Sequence, residues 1–229
     1  MVQFRVFRYD PDKGGKPHFQ SYKFEEEKGM TILEGLFHIF ENIDGSLAFR
    51  SSCREAVCGS CAMHVNGMYR LACKTQIGVL GSRITIRPLA HLPVIKDLIT
   101  DLTPFFEHLK EIKPYLIPKE VPPQKEYIQS VEQRRKIDEW LDCILCGACY
   151  GSCPVASQDK KYLGPHALLK ALRFVEDSRD GGAKERIAVV AKDTGIFRCH
   201  TIFNCQKVCP KDLDPTKAIA KLKMKTLFG

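Results

Sequence analysis

The cysteines decide what this chain can fold into, because two runs of them repeat one spacing. CILCGACYGSCP places Cys143, Cys146, Cys149 and Cys153 in the pattern C-x2-C-x2-C-x3-C and follows it with Pro154. CHTIFNCQKVCP places Cys199, Cys205 and Cys209 at matching offsets, with Pro210 behind the last. One member is missing: Ile202 stands where the second cysteine of the run would be. Thiols in such register require loops that bend tightly around whatever they hold, and the rest of the chain has to support those loops.

The pattern is the ligand spacing of bacterial-type ferredoxins, in which the fourth cysteine of each run ligates the other run's cluster. That crossover assigns Cys143, Cys146, Cys149 and Cys209 to a 4Fe-4S cubane. Cys153, Cys199 and Cys205 remain, and a cubane corner without a thiolate loses its iron easily, so the second site reads as 3Fe-4S. Paired C-x2-C spacings also describe tetrahedral zinc sites, which do not need two runs in lockstep with a proline after each. Disulfides are the weaker alternative, since MVQFRVFRYD is not a charged-then-apolar signal segment and an oxidising compartment is not indicated.

Earlier in the chain, SSCREAVCGSC sets Cys53, Cys58 and Cys61 at C-x4-C-x2-C, with Cys73 twelve residues later. This is the plant-type 2Fe-2S spacing, though a long gap to the fourth cysteine also occurs in zinc sites. Three thiolates from one loop surround a cluster and leave backbone N–H groups pointing at its sulfides, and Gly59 lets the backbone come close. The surroundings read as a small sheet. FRVFRYD and SYKFE alternate apolar and polar residues as two strands, and HVNGMYRL is a hairpin turning at Asn66-Gly67. SRITIRP is a last strand, ended by Pro88. Thr31 and Glu34 form a capping box for a helix whose Leu33, Leu36, Phe37 and Phe40 are expected to cover that sheet as core. Strand pair, helix, cluster loop, hairpin and final strand look like the β-grasp fold of plant-type ferredoxins. LPVIKDLITDL is predicted to be a connecting helix.

Residues 113–127 hold four prolines and read as a semi-rigid linker lying on the surface of a domain. Beyond it the pattern is helical. Ser130 with Gln133 caps SVEQRRKIDEWL, Pro165 starts GPHALLKALRFVED, Gly195 ends a helix begun near Ala183, and Asp214-Pro215 starts the last helix. The expected class is therefore α+β. Residues 1–105 form a β-grasp plant-type ferredoxin domain, and residues 106–229 an all-helical, bacterial-ferredoxin-like domain. No uncharged apolar stretch reaches the ~18 residues of a membrane span. The formal charge of +8 comes without a Lys/Arg run longer than three, which points to a solvated surface rather than a nucleic-acid partner. No nucleophile elbow, G-x-G-x-x-G or P-loop is present, so no catalytic residue is assigned.

Taken together, SSCREAVCGSCAMHVNG, PLAHLPVIKDLITDL, CILCGACYGSCP and CHTIFNCQKVCPKDLDPTKAI resemble the iron-sulfur subunit of succinate dehydrogenase and fumarate reductase over nearly the whole chain. The resemblance implies an oxidoreductase complex in which this subunit carries electrons between the covalent FAD of a flavoprotein subunit and a quinone at a membrane anchor. The dicarboxylate site then lies in a partner, and the chain is peripheral on the cytoplasmic side of the cell inner membrane. Pro154, His200 and Ile202 occupy positions where the family's quinone site borrows residues. Mitochondrial-type relatives carry a tryptophan pair shortly after this proline, whereas Ser157 and Gln158 stand here and the only tryptophan is Trp140. That departure points to menaquinone and to an anchor that carries haem. The competing expectation is an iron-sulfur subunit of the glycolate oxidase or heterodisulfide reductase kind. Those usually continue into further cysteine-rich domains, while this chain has twenty residues after Cys209.

Overall fold

In a computed structural model the described residues are 1–121 and 123–228. The elements, in chain order, are β1 (Val2–Arg8), β2 (His18–Phe24), α1 (Ile32–Asn42), β3 (Ala62–Val65), β4 (Met68–Leu71), β5 (Arg83–Arg87), β6 (Val94–Lys96) and β7 (Ile99–Thr100). There follow α2 (Thr103–Glu111), α3 (Val131–Leu141), α4 (Ala148–Gly151), α5 (Pro154–Gln158), α6 (Gly164–Val175), α7 (Ala183–Val190), α8 (Asn204–Lys207) and α9 (Pro215–Phe228). They divide into two compact units: Met1–Leu102 with Ile144–Ser152, and Thr103–Cys143 with Cys153–Gly229. The expected division fell at 105/106 and left residues 144–152 with the helical part.

The first unit is a β-grasp, a mixed sheet of order β2-β1-β5-β3-β4 with β1 and β5 parallel and the other pairs antiparallel. Alternation in β1 buries Val2, Phe4 and Val6 on one face, as a half-buried strand requires. Asn66 and Gly67 supply the left-handed turn of the β3–β4 hairpin, at φ 45° and 84°. Thr31 and Glu34 close the capping box of α1. The helix buries Ile32, Leu33, Leu36 and Ile39, and Gly35 lets it settle on the Phe4 ring, where a Cβ would come within 2.7 Å. Phe37 and Phe40 do not join that face, contrary to the expectation. They stack edge-on against Phe49 at 5.1 and 6.2 Å, on the side from which the chain runs to Cys53.

The predicted helix over LPVIKDLITDL is instead the hairpin β6–β7. Val94, Ile95, Ile99 and Thr100 are β-branched, which favours strand over helix. Asp97 turns the hairpin at φ 45° and is buried. Its carboxylate accepts from Arg8 Nε at 3.0 Å and from the N–H groups of Tyr9 and Ala48 at 2.9 Å each. The guanidinium of Arg8 also meets Asp44 at 2.6 Å, and Arg8 donates to the Tyr22 hydroxyl. The inward charge at the end of β1 is thus neutralised and hydrogen-bonded, as burial demands.

The second unit is helical and built around α6, buried along most of its length and packed against α2, α3, α7 and α9. Lys170, Arg173 and Val175 are its partly exposed residues, and the rest of the helix lies in the core. Trp140 of α3 is buried and donates to Glu176 at 3.3 Å, which gives the single tryptophan a packing role. The capping box at Ser130 and Gln133 and the Asp214 cap before Pro215 form as the sequence implies. The buried Arg186 pairs with Asp180 at 2.5 Å and donates to the carbonyls of Ile112, Lys113 and Tyr115. Asp180 also accepts from the Ile117 N–H at 3.0 Å, so the start of the proline-rich segment is pinned to this unit. Pro122, within the linker predicted over 113–127, lies outside the described residues. α7 stops at Val190, five residues before Gly195. The chain turns back there, and a Cβ on Gly195 would stand 1.9 Å from the Val190 carbonyl oxygen, so this glycine serves the turn after the helix.

Candidate metal centres

The loop from Cys53 to Cys61 wraps around a sulfur. Arg54, Ala56 and Gly59 take positive φ of 58°, 57° and 74°, which aims successive N–H groups inward. Those of Glu55, Val57 and Cys58 donate to Cys53 Sγ at 3.4, 3.4 and 3.3 Å. Such a cradle suits an anionic iron-thiolate group, whose sulfurs are stabilised by N–H donors. Cys58 lies 2.9 Å from the Ser60 hydroxyl, and that hydrogen bond lowers its thiol pKa to about 6. Burial does the opposite to Cys61, raising its pKa to about 12, and Cys61 and Cys73 are within hydrogen-bonding reach of each other. All four side chains of the predicted 2Fe-2S set thus belong to this loop and to the turn after β4. Arg54 rests its guanidinium over Phe37, 4.4 Å from the ring centre, and braces the loop's entry.

Three glycines seat the Ile144–Ser152 segment in the same unit. A Cβ on Gly59 would stand 2.9 Å from Cys146 Cα, one on Gly147 3.1 Å from Leu89, and one on Gly151 2.8 Å from the Tyr69 ring. Cys146 and Cys149 therefore belong to the first unit, while Cys143 and Cys209 belong to the second. Glycine-rich composition in the first run was the only sequence sign of this close approach.

In the second unit, Cys153, Cys199 and Cys205 line a single pocket. Its wall includes Tyr162, Thr216 and Ile219, and its exposed rim carries Pro154, His200, Ile202 and Phe203. Cys153 Sγ accepts from the N–H groups of Val155 and Ala156. Burial holds the Cys153 and Cys205 thiols above their usual pKa. The three thiols that crossover leaves without a fourth are thus brought together. Ile202 sits between Thr201 and Phe203, both left-handed at φ 56° and 66°. Cys146 sits between Leu145 and Gly147 at 53° and 81°. The residues flanking Ile202 are thus left-handed like those flanking Cys146, and Ile202 presents a side chain that has no lone pair.

A β-grasp unit with a four-cysteine loop, joined to a helical unit with ferredoxin-type cysteine runs, defines a multi-cluster iron-sulfur protein of electron transfer. Comparison with known proteins agrees. The 2Fe-2S iron-sulfur cluster binding domain family matches residues 3–107, and the 4Fe-4S dicluster domain family matches residues 139–213. The succinate dehydrogenase iron-sulfur subunit of Paracoccus denitrificans is 43% identical over 223 residues, covering 96% of this chain and 86% of that one. A chain of the Mycobacterium smegmatis Sdh1 complex in the apo form superimposes with TM-score 0.87 at 26% identity, covering 98% of this chain and 95% of that one. A hypothetical protein from Helicobacter pylori shares the fold at TM-score 0.59 and 15% identity, over 98% of this chain and 39% of that chain.

The chain belongs to the succinate dehydrogenase iron-sulfur subunits. It binds 2Fe-2S, 4Fe-4S and 3Fe-4S clusters and transfers electrons as part of an oxidoreductase complex with flavoprotein and membrane-anchor partners. No helix among the described residues is long and apolar enough to cross a membrane.

Proposed function

We propose that this subunit relays electrons between the FAD of its flavoprotein partner and menaquinone, at a haem-bearing anchor on the cytoplasmic side of the cell inner membrane. In this reading Cys53, Cys58, Cys61 and Cys73 hold 2Fe-2S. Cys143, Cys146, Cys149 and Cys209 hold 4Fe-4S, and Cys153, Cys199 and Cys205 hold 3Fe-4S. The observation that carries it is the pocket in which the last three cysteines meet beneath a rim of Pro154, His200 and Ile202. When bound, the clusters supply one-electron carriers, and separate ligand sets let each potential be tuned on its own.

The chain's residues supply the rest. N–H groups around Cys53 and Cys153 stabilise thiolate ligands. Ile219 and the buried Tyr162 keep water from the inner wall of the pocket. Ile202 and Phe203, about half exposed at 49% and 52%, offer an apolar lip for a lipid-soluble quinone and its anchor. Ser157 and Gln158, in place of a tryptophan pair, favour the low-potential quinone. Steady-state assays of the solubilised complex with matched naphthoquinone and ubiquinone analogues test this. A higher kcat/KM with naphthoquinones is expected, and a clear preference for ubiquinone analogues would overturn the quinone assignment.

A further inference from the structure

Two hydroxyl groups reach the sulfurs of the three-cysteine pocket. Tyr162 is 1% exposed, lines the same pocket as Cys199, and has its phenol hydroxyl within reach of the Cys199 sulfur. Thr216, buried near the start of α9, places Oγ1 3.4 Å from Cys205 Sγ. A cysteine that ligates iron is a thiolate without a proton, so the threonine hydroxyl must be the donor in that pair. Cys153, the third sulfur, is approached by the N–H groups of Val155 and Ala156, which every residue type except proline would supply.

We infer that Tyr162 and Thr216 are positioning residues that raise the reduction potential of the centre held by Cys153, Cys199 and Cys205, by donating hydrogen bonds to two of its three ligand sulfurs. The inference rests on the ligand set proposed above. Reduction adds one electron to that centre and no atom leaves the side chains, since both hydroxyls keep their protons. The added charge is shared with the ligand sulfurs, and a fixed O–H donor stabilises the more negative state more than the less negative one. Charge-assisted hydrogen bonds are stronger than neutral ones, and a wall closed to water weakens them less than solvent would. An elevated potential suits a carrier that must collect the electron last and pass it to a quinone.

The test is an EPR-monitored redox titration of the whole complex, wild type against Tyr162→Phe, Thr216→Val and Thr216→Ser. Phenylalanine and valine keep the shape and remove the donor; serine keeps the donor. The three-iron centre should lose about tenfold in its reduction equilibrium constant in each of the first two variants, or 59 mV for a one-electron couple. Thr216→Ser should hold the wild-type value, and the other two clusters should titrate unchanged in all three variants. If fully assembled Tyr162→Phe and Thr216→Val keep the wild-type midpoint, the inference is overturned. It is overturned too if both variants lose the three-iron signal, since the hydroxyls would then serve assembly rather than potential. A wild-type complex with no three-iron signal would instead sink the ligand assignment on which the inference rests.

Discussion

Gly59 lies directly on the backbone of Cys146: a methyl group at Gly59 would stand 2.9 Å from Cys146 Cα and Cβ and from the Ile144 carbonyl oxygen. The tip of the first cluster loop therefore touches the first ferredoxin-type run with nothing between them. That contact needs a residue without a Cβ, and the φ of 74° needs one as well.

Gly59→Ala should thus do two kinds of damage, and Gly67→Ala separates them. Gly67 has a φ of 84° with nothing within 4 Å of its Cβ position, so alanine there costs only left-handed strain, about 1 kcal/mol. Gly59→Ala adds an overlap with backbone and should cost at least twice as much. Urea unfolding of the two variants gives the comparison. EPR should show the 2Fe-2S and 4Fe-4S signals both diminished in Gly59→Ala alone, and equal losses in the two variants would rule the contact unimportant.

Ligand crossover makes the sharpest statement about single cysteines. Cys153→Ser should remove the three-iron centre although Cys153 belongs to the first run, and Cys209→Ser should damage the 4Fe-4S cluster although Cys209 belongs to the second. EPR with iron and sulfide analysis decides between the two patterns. Loss confined to each cysteine's own run would contradict the fold-back assignment.

Ile202 has left-handed neighbours, as Cys146 has, and an exposed apolar side chain without a lone pair. Ile202→Cys should supply the fourth thiolate and convert the three-iron centre to 4Fe-4S. The converted centre should titrate at lower potential, and quinone reduction should slow several-fold. An unchanged three-iron EPR signal in the variant would refute the idea that this one side chain makes the relay asymmetric.

His166 gives a pH prediction. It is fully buried on α6, stacked on Phe105 with ring centres 3.7 Å apart, and its Nε2 lies 2.8 Å from the Phe105 carbonyl oxygen. Burial lowers its pKa to about 3. Unfolding returns it to about 6.5, so the unfolded chain binds the extra proton and acid favours unfolding. The contribution is complete above about pH 6.5 and is lost as pH falls toward 3, amounting to about 2 kcal/mol by pH 5. His166→Gln keeps an N–H for the Phe105 carbonyl and cannot titrate. The stability gap between wild type and this variant in urea should therefore shift toward the variant between pH 7 and pH 5; a gap independent of pH would contradict the assignment.

What could be read in the sequence was whatever local chemistry dictates. Cysteine offsets, capping boxes at Thr31 and Ser130, the Asn66-Gly67 turn and the Pro165 and Pro215 helix starts all depend on a few neighbouring residues. The misread elements are those decided from a distance. LPVIKDLITDL became a hairpin because Asp97 is bound by Arg8, Tyr9 and Ala48, up to 89 residues away in sequence. Phe37 and Phe40 left the sheet face because Phe49 gave them another partner, which helical spacing does not reveal. The hydroxyls of Tyr162 and Thr216 carry no spacing signature at all, since only folding brings them to the sulfurs.

The Ile144–Ser152 excursion changes what a gene fragment of this protein can be. Residues 1–105 taken alone would lack the glycines that lie over Leu89 and Tyr69, leaving both side chains bare. Residues 106–229 taken alone would carry a cysteine run whose middle belongs to a missing partner fold. The two ferredoxin-like parts are thus not separable cassettes: recombination that swapped one of them for a foreign ferredoxin would also have to carry across the nine residues that the other part lends it.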